Sequence, residues 1–207
     1  QPEGEGWMGH YVLIVGYDDY AQHFLTFDSY LGSNQQKGRP SPYSVFEEHW
    51  RHFNRVFLVP YTVDREIALR DALGPYVDPL YGYQAALAMA REEAARDRDD
   101  HWAWFNMGTA YVALQQWANA AVAFDQSISL GKLPFRMLWY QFGPYEAYFY
   151  TGDYDNVRAL ANSTIATTPY VEESYYWKGM AYAAEGNRSA ALEQFGLALR
   201  YNGNFSP

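Results

Sequence analysis

Two residues near the start of the chain are of the types best suited to acid–base chemistry. His10 precedes an apolar run, and Asp28 ends the next apolar run along the chain. Imidazole is the side chain that most readily exchanges a proton near neutral pH, and a carboxylate can orient it. Each residue also has an ordinary structural explanation, because a histidine can cap the start of a strand and aspartate is a common turn residue. The residue types alone leave both interpretations open.

Three other polar groups could share a proton or hold a metal, and each has a simpler explanation. The carboxylate pair at 18–19 lies between two apolar runs, where Asp side chains typically cap a hairpin turn. His49 and His52 stand beside Glu48 at helical spacing, but no further cluster of ligands accompanies them. The segment 96–100 lacks the glycine and the alternating ligands of a calcium loop. We therefore expect no metal site and no cofactor.

Composition excludes several classes of protein. The 207 residues are 49% hydrophobic, which is ample for a core, and the formal net charge is -9. The basic residues do not cluster, so we expect no binding of nucleic acid. No apolar run approaches the roughly 20 residues that span a bilayer, so we expect no transmembrane segment. The absence of cysteine excludes a disulfide, a thiolate metal site and a cysteine nucleophile within this chain.

The first 60 or so residues have the pattern of a small sheet. Residues 10–16 predict a largely buried strand, and residues 23–28 predict a second strand that forms an antiparallel hairpin with it. Residues 31–42 are polar and rich in glycine and proline, which indicates a loop. The apolar segment 55–60 predicts a third strand.

A short helix is predicted between the loop and the third strand. Ser44 can cap it, with Glu47 three residues later in the capping-box position, and the helix would run to about Phe53.

Beyond about residue 80 the chain carries a helical repeat with a period in the thirties. One copy of the pattern consists of Trp104, Gly108, Tyr111, Trp117, Ala120 and Phe124. Another copy consists of Tyr175, Gly179, Tyr182, Gly186, Ala191, Phe195 and Ala198. A weaker copy between them has Tyr145 where the first glycine belongs. The small residues let paired helices approach closely, and the aromatic residues fill the space around them.

This spacing resembles the tetratricopeptide (TPR) motif. The resemblance implies repeats at 101–134, 138–171 and 172–205, preceded by a half-repeat at 80–100. In the middle repeat we expect the first helix to begin at Pro144, because proline is tolerated at the first helical position.

The order of the N-terminal motifs resembles a peptidase family. Gly9-His10 before a strand, Asp28 at the end of the next strand and Phe46-x3-Trp50 before a last one are similar to papain-like cysteine peptidases of the bacteriocin-processing (double-glycine leader) type. The resemblance covers only the C-terminal half of that domain. It implies that His10 is the general base and that Asp28 orients it. In such a site the thiol needs an imidazole to become a thiolate, and the imidazole needs a carboxylate to fix its tautomer.

The family's nucleophile is a cysteine on an N-terminal helix, and this sequence contains neither that cysteine nor its helix. One expectation is that the N-terminal lobe lies upstream of Gln1, which the start without an initiator methionine favours. The other is that the lobe has been lost and the remaining fold is structural. As given, the chain cannot hydrolyse a peptide by a cysteine mechanism.

The TPR resemblance also implies a groove for a protein or peptide partner, lined by the first helix of each repeat. The motif positions that face this groove fall on Trp102, Phe105, Asn106, Thr109, Val112, Glu146, Phe149, Glu173, Tyr176, Trp177, Met180 and Ala183. The groove is aromatic and slightly acidic, and it lacks the Lys and Arg set that clamps a terminal carboxylate. Such a groove fits an apolar or Pro-rich extended segment. Alternatively, the rings pack on the neighbouring domain or on the chain's own tail.

These observations predict an α+β chain: a small antiparallel papain-like half-domain at 1–63, a linker at 64–79 and an all-α TPR solenoid at 80–207. The expected function is part of a cysteine-peptidase-like protein whose TPR array binds a partner. The alternative is a non-catalytic interaction scaffold, or a structural subunit of a larger assembly, with a degenerate peptidase fold. The tyrosine-rich, lysine-poor and cysteine-free composition, with the family's habit of secretion, leads us to expect a bacterial protein in an extracytoplasmic location (cell envelope or secreted).

Overall fold

The computed structural model describes residues 6–205, and the chain divides into two compact units after Glu66. The N-terminal unit contains one three-stranded antiparallel sheet with the strand order β1-β2-β3. Its elements are β1 (Val12–Asp18), β2 (His23–Asp28), β3 (Arg39–Pro42) and α1 (Tyr43–Trp50), which continues as a 3-10 turn over Arg51–Phe53.

In the hairpin of β1 and β2, the register places the start of β1 beside the end of β2. Val12 lies opposite Asp28, and the ladder shifts by one residue between Ile14 and Gly16. The turn forms as expected, because the Asp18 side chain accepts a hydrogen bond from the amide of Ala21 at 2.9 Å.

Several local expectations for the N-terminal unit were wrong. β3 lies within the segment predicted to be a loop, whereas residues 56–62 form no regular element. The β1 side chains are mostly exposed rather than buried. The helix α1 begins after Pro42 and has no side-chain cap, so Ser44 lies inside the helix instead of capping it.

From residue 79 onward, each helix of the helical unit packs against the next one along the chain. The elements of this unit are α2 (Glu66–Leu73), α3 (Pro79–Arg96), α4 (His101–Ala113), α5 (Trp117–Ser129), α6 (Gly143–Tyr150), α7 (Tyr154–Thr167), α8 (Glu172–Ala184) and α9 (Arg188–Tyr201). The α+β class, with a small antiparallel sheet followed by an all-α solenoid, is therefore confirmed. In the described part of the chain, no helix is both long and apolar enough to cross a bilayer.

Polar side chains fix where several of these helices begin. Asp78, Asp100, Asp153 and Asn187 each precede a helix and accept a hydrogen bond from a backbone amide of its first turn. Such a cap typically contributes about 1 kcal/mol, because it satisfies an amide that has no partner within the helix.

Glycine–aromatic contacts set the spacing within two of the helix pairs. A β-carbon on Gly108 of α4 would lie 2.5 Å from the Phe124 ring on α5, and one on Gly179 of α8 would lie 2.6 Å from the Phe195 ring on α9. These are the glycine and phenylalanine positions that define the repeat.

The middle repeat and the linker depart from the regular pattern. The helix α6 has only eight residues and begins at Gly143, with Pro144 in its first turn as expected. The segment before it contains a 3-10 turn at Met137–Trp139, of which Met137 is buried. The predicted linker is largely helical, because it contains α2 and a 3-10 turn at Gly74–Val77.

Candidate functional site

The N-terminal unit brings His10 and Asp28 into direct contact. The Nε2 atom of His10 lies 3.0 Å from Oδ2 of Asp28. The Asp28 side chain is 9% exposed, whereas the His10 side chain is 47% exposed. His10 lies two residues before β1 and Asp28 ends β2, so the hairpin register places one beside the other. The imidazole thus faces solvent while its partner is sheltered.

The carboxylate of Asp28 is held at both oxygens. Its Oδ1 accepts hydrogen bonds from the amides of Tyr30 at 2.7 Å and Leu31 at 2.9 Å, while Oδ2 faces His10. Burial alone raises the pKa of Asp28, but the hydrogen bonds from His10, Leu31 and Tyr30 outweigh it, so this pKa lies below its ordinary value. The carboxylate is therefore charged at neutral pH and cannot rotate freely.

This geometry selects one tautomer of the imidazole. A carboxylate only accepts hydrogen bonds, so Nε2 of His10 carries the proton that points to Asp28. The lone pair of the neutral ring is then on Nδ1. An exposed ring with a fixed Nδ1 lone pair can take a proton from a nearby thiol, hydroxyl or water.

Close packing around Gly9 fixes the backbone just before His10. A β-carbon on Gly9 would overlap the ring of Phe53. Trp7 stacks on the same ring with centroids 5.4 Å apart, and its indole N–H donates to Nδ1 of His52 at 3.1 Å. The 3-10 turn after α1 therefore supports the segment that presents His10.

The histidines of α1 and its 3-10 turn have a structural part in this packing. Nδ1 of His52 accepts the hydrogen bond from Trp7, and the His49 ring lies 6.1 Å from the His52 ring. Within residues 6–205, no three or more His, Cys, Asp or Glu side chains are grouped so that they could hold a metal ion.

Three of the predicted groove residues lie in the core. Trp102, Phe105 and Asn106 are buried, with Phe105 only 1% exposed, and the Phe105 ring packs 5.0 Å from the Phe124 ring. They offer little surface to a partner, at most 8% of the residue at Trp102, so the expectation that they line an open groove is corrected. Thr109 is half-buried, and its hydroxyl donates to the carbonyl of Phe105 at 3.1 Å.

The remaining groove residues keep part of their surface exposed. Phe149, Tyr176, Trp177 and Met180 are half-buried on α6 and α8. The Phe149 and Trp177 rings are 5.8 Å apart, so the first helices of the second and third repeats meet through these side chains.

Two rings that the motif positions did not predict extend this series, the exposed Tyr150 and the half-buried Trp117. Tyr150 stacks on Trp117 with centroids 4.4 Å apart, and it also contacts Phe149 at 5.4 Å. Tyr150 directly follows a predicted groove position, and Trp117 is an aromatic residue of the repeat pattern. The position of Tyr150 next to Phe149 in the sequence was the signal that could have identified it as part of this series.

Comparison with protein families identifies the N-terminal segment. The model of the Peptidase_C39-like family matches residues 4–57, about a quarter of the chain. The match includes His10 and Asp28. A comparison with curated proteins finds no match to the chain.

Comparison with solved structures identifies the fold of the helical unit. The crystal structure of MamA aligns with a TM-score of 0.50 and 21% identity, covering 58% of this chain and 69% of MamA. A MamA RS-1 double mutant aligns with a TM-score of 0.52 and 20% identity, covering 58% of this chain and 66% of that one. These likenesses concern the fold alone. Together with the helix pairs and their glycine–phenylalanine contacts, they establish that this chain carries a Peptidase_C39-like segment followed by tetratricopeptide repeats.

Proposed function

We propose that the N-terminal unit is the base-bearing half of a cysteine-peptidase-like domain, and that the TPR array binds a protein partner. The thiol would come from a segment outside this sequence, since the chain has no cysteine. The observation that carries the catalytic part is the contact between His10 Nε2 and Asp28 Oδ2 at 3.0 Å, with the carboxylate sheltered and the imidazole open.

Each side chain has a definite role in this proposal. Nδ1 of His10 takes the proton of the incoming thiol, and the thiolate attacks the peptide carbonyl. The imidazolium then returns that proton to the leaving amine, as in other nucleophile–histidine pairs. Asp28 holds the ring and stabilises its charged form, because its own carboxylate is fixed by the amides of Tyr30 and Leu31.

The experiment uses the protein purified from its native source and the full-length gene product. Its denatured mass is measured, and the rate of thiol alkylation by iodoacetamide is followed on the folded protein at neutral pH. We expect a mass above 23.9 kDa, or a co-purifying fragment, with one thiol that reacts rapidly. His10→Ala should slow that reaction strongly and abolish any peptidase activity. Asp28→Asn should slow it less.

A matched control is His23→Ala, which removes another imidazole from the same hairpin. This variant should alkylate at the wild-type rate. A mass equal to this chain with no reactive thiol, or alkylation that is equally fast in His10→Ala, would refute the catalytic proposal.

The second candidate function is a non-catalytic interaction scaffold with a degenerate peptidase fold. The observation in its favour is the partly exposed aromatic series on α6 and α8, which needs no chemistry to bind a partner. The same experiment distinguishes the two functions, because only the enzyme requires a reactive thiol close to His10. We also propose an extracytoplasmic location, which cell fractionation with an antibody against the chain tests.

A further inference from the structure

A repeated sequence pattern occurs on the two helices that carry the partly exposed aromatic side chains. Both α6 and α8 contain Glu-x-x-aromatic-aromatic, at residues 146–150 and 173–177. Residues three and four apart share one face of a helix, so each glutamate lies on the face of its two rings. The two patterns fall at different positions of the TPR motif, so the repeat itself does not require them. We call this set the aromatic–acidic surface: Glu146, Phe149, Tyr150, Glu173, Tyr176 and Trp177.

The rings of the aromatic–acidic surface form one connected series. Tyr150 contacts Phe149 with centroids 5.4 Å apart, Phe149 contacts Trp177 at 5.8 Å, and Trp177 contacts Tyr176 at 5.3 Å. Tyr150 remains 57% exposed. The series therefore joins two repeats across one surface. Tyr150 is its most exposed ring, whereas Tyr176 also contacts Phe205 near the C-terminal end of the chain, with centroids 5.5 Å apart.

Among residues 6–205, the two carboxylates of this surface have no cationic partner. Within the described residues, the Glu146 side chain makes no hydrogen bond or ion pair, although it is half-buried. Glu173 is also half-buried, and in the described part of the chain its carboxylate is hydrogen-bonded only by its own backbone amide. In both cases burial raises the pKa of the carboxyl, with Glu172 adding to the effect at Glu173. Partial burial of an unpaired carboxylate is unfavourable, so a cation placed here would relieve a cost already present.

The chain itself supplies few cations nearby. The first helices α4, α6 and α8 contain three glutamates and a single basic residue, Lys178, besides the histidine at the start of α4. Arg158 of α7 is already paired with Asp155 and Glu185. The net charge of -9 favours approach of a positively charged partner.

We propose that the aromatic–acidic surface binds an extended peptide segment carrying Lys or Arg, with its cationic groups against Glu146 and Glu173. The neighbouring rings contribute cation–π contacts and cover the apolar part of each long side chain. This inference rests on the proposed partner-binding function of the TPR array and adds the chemistry of the partner. An apolar or Pro-rich segment fits less well, because it would bury both carboxylates further without pairing them.

The first experiment selects peptides from phage-displayed random dodecapeptides on the immobilised chain. The wild type is compared with the double variant Glu146→Gln/Glu173→Gln, which keeps side-chain size and removes both charges. We expect Lys and Arg to be enriched on the wild type and not on the double variant. Glu193→Gln on α9 is the matched control, since it removes an exposed glutamate outside this surface, and it should select the same peptides as the wild type.

The second experiment measures the affinity of the most enriched peptide by fluorescence anisotropy. The double variant should bind it about tenfold more weakly, and replacing its basic residues by norleucine should weaken binding to the wild type comparably. Raising the salt concentration should weaken the wild type more than the double variant.

The outcomes separate this inference from the function on which it rests. If apolar or Pro-rich peptides are enriched, or if basic peptides bind the double variant equally well, the TPR array binds peptides but the cationic chemistry is wrong. If no peptide is enriched on the wild type, both the inference and the peptide-binding function are overturned.

Discussion

The ring of Phe195 lies so close to Gly179 that a β-carbon at position 179 would come within 2.6 Å of its Cε1 atom. The same relation joins Phe124 to Gly108, at 2.5 Å. Both pairs connect the two helices of one repeat. The backbone of the first helix thus rests directly on an aromatic ring of the second, and the separation of the helices is fixed by the absence of a side chain.

Gly179→Ala should therefore lower the free energy of unfolding. The added methyl group must displace the Phe195 ring, at a cost of about 1–3 kcal/mol for overpacking, which exceeds the gain in helix propensity. Gly179→Leu should unfold the last repeat. Urea unfolding followed by circular dichroism measures both effects.

The control is Gly196→Ala on α9, where a β-carbon would have nothing within 4 Å. This substitution should be stabilising by up to about 1 kcal/mol, because alanine restricts the unfolded chain and favours the helix. Equal effects of the two substitutions would mean that the register of the repeat is wrong.

In the middle repeat the large and the small residue of this helix–helix contact are exchanged: the first helix carries the large side chain and the second helix the small one. Tyr145 and Ala161 occupy the positions held by Gly108 and Phe124, and both are buried in one cluster. We predict that Ala161→Phe destabilises the chain by about 2 kcal/mol or more, because a second ring has no space beside Tyr145. Adding Tyr145→Gly should recover part of this loss, although the glycine is less favourable in a helix.

A double-mutant cycle on Tyr145 and Ala161 measures that coupling by urea unfolding. If the changes in unfolding free energy caused by the two substitutions simply add, the two side chains do not compensate for each other in size, and the hypothesis is contradicted. Tyr145→Phe should cost about 1 kcal/mol by itself, because the buried hydroxyl contacts Ser174 at 3.3 Å and Thr164 at 3.4 Å.

The carboxylates of the aromatic–acidic surface should reduce stability at neutral pH. Their folded pKa values are raised by burial, so the folded state binds protons more strongly than the unfolded state, and stability falls as pH rises from about 4.5 through the folded values. Glu146→Gln and Glu173→Gln should each be stabilising at pH 7. Because both groups remain partly exposed to solvent, the gain should be no more than about 0.5 kcal/mol each.

Urea unfolding of these variants from pH 7 to pH 3.5 tests the sign. The advantage of each glutamine should shrink as the pH falls below the unfolded pKa, where the wild-type carboxyl becomes neutral in both states. A destabilising effect at pH 7 would indicate that these glutamates have a stabilising partner.

The charged form of Asp28 should stabilise the folded state, in contrast to the charged carboxylates of the aromatic–acidic surface. Its folded pKa is lowered, so its charged form stabilises the N-terminal unit above the ordinary value of 3.8, and that stabilisation is lost as pH falls through the folded value. The amide protons of Tyr30 and Leu31 bond to its Oδ1, so their NMR shifts should titrate with it. We expect a midpoint below 3.8 in the wild type. In His10→Ala the midpoint should rise, because the histidine hydrogen bond is gone while the burial remains.

The His23→Ala variant again serves as the control and should leave that midpoint unchanged. A wild-type midpoint at or above 3.8, or the same midpoint in His10→Ala, would mean that the two side chains are not coupled in solution.

The hairpin and the repeat frame were predictable because both depend on local patterns. Alternating apolar runs around an Asp turn, and small residues at fixed spacing, each specify a backbone arrangement within a few dozen residues. The contact of His10 with Asp28 follows from the hairpin register. No local pattern of this kind decides the structure of residues 55–60. An apolar run forms a strand only if a neighbouring strand supplies backbone hydrogen bonds, and the sequence of the run does not show whether such a strand is present.

The groove was only partly predictable for a related reason. Motif position places a residue on one side of its helix, but it does not say what packs against that side. In the first repeat Phe105 contacts Phe124 and is buried, whereas Phe149 in the second repeat reaches Trp177 and keeps some exposed surface. The segment before α6 differs from the repeat consensus and contains a 3-10 turn. The motif therefore could not predict which side chains in the second repeat are buried and which stay exposed.

The shortness of α6 has a consequence for cooperativity. At about 1.5 Å per residue its eight residues extend about 12 Å, whereas the 13 residues of α4 or α8 extend about 20 Å. In a linear array each repeat is stabilised through its neighbours, so the coupling across a short helix is the weakest in the series. Under load or mild denaturant, the array should separate at α6 into two smaller cooperative blocks before either block melts.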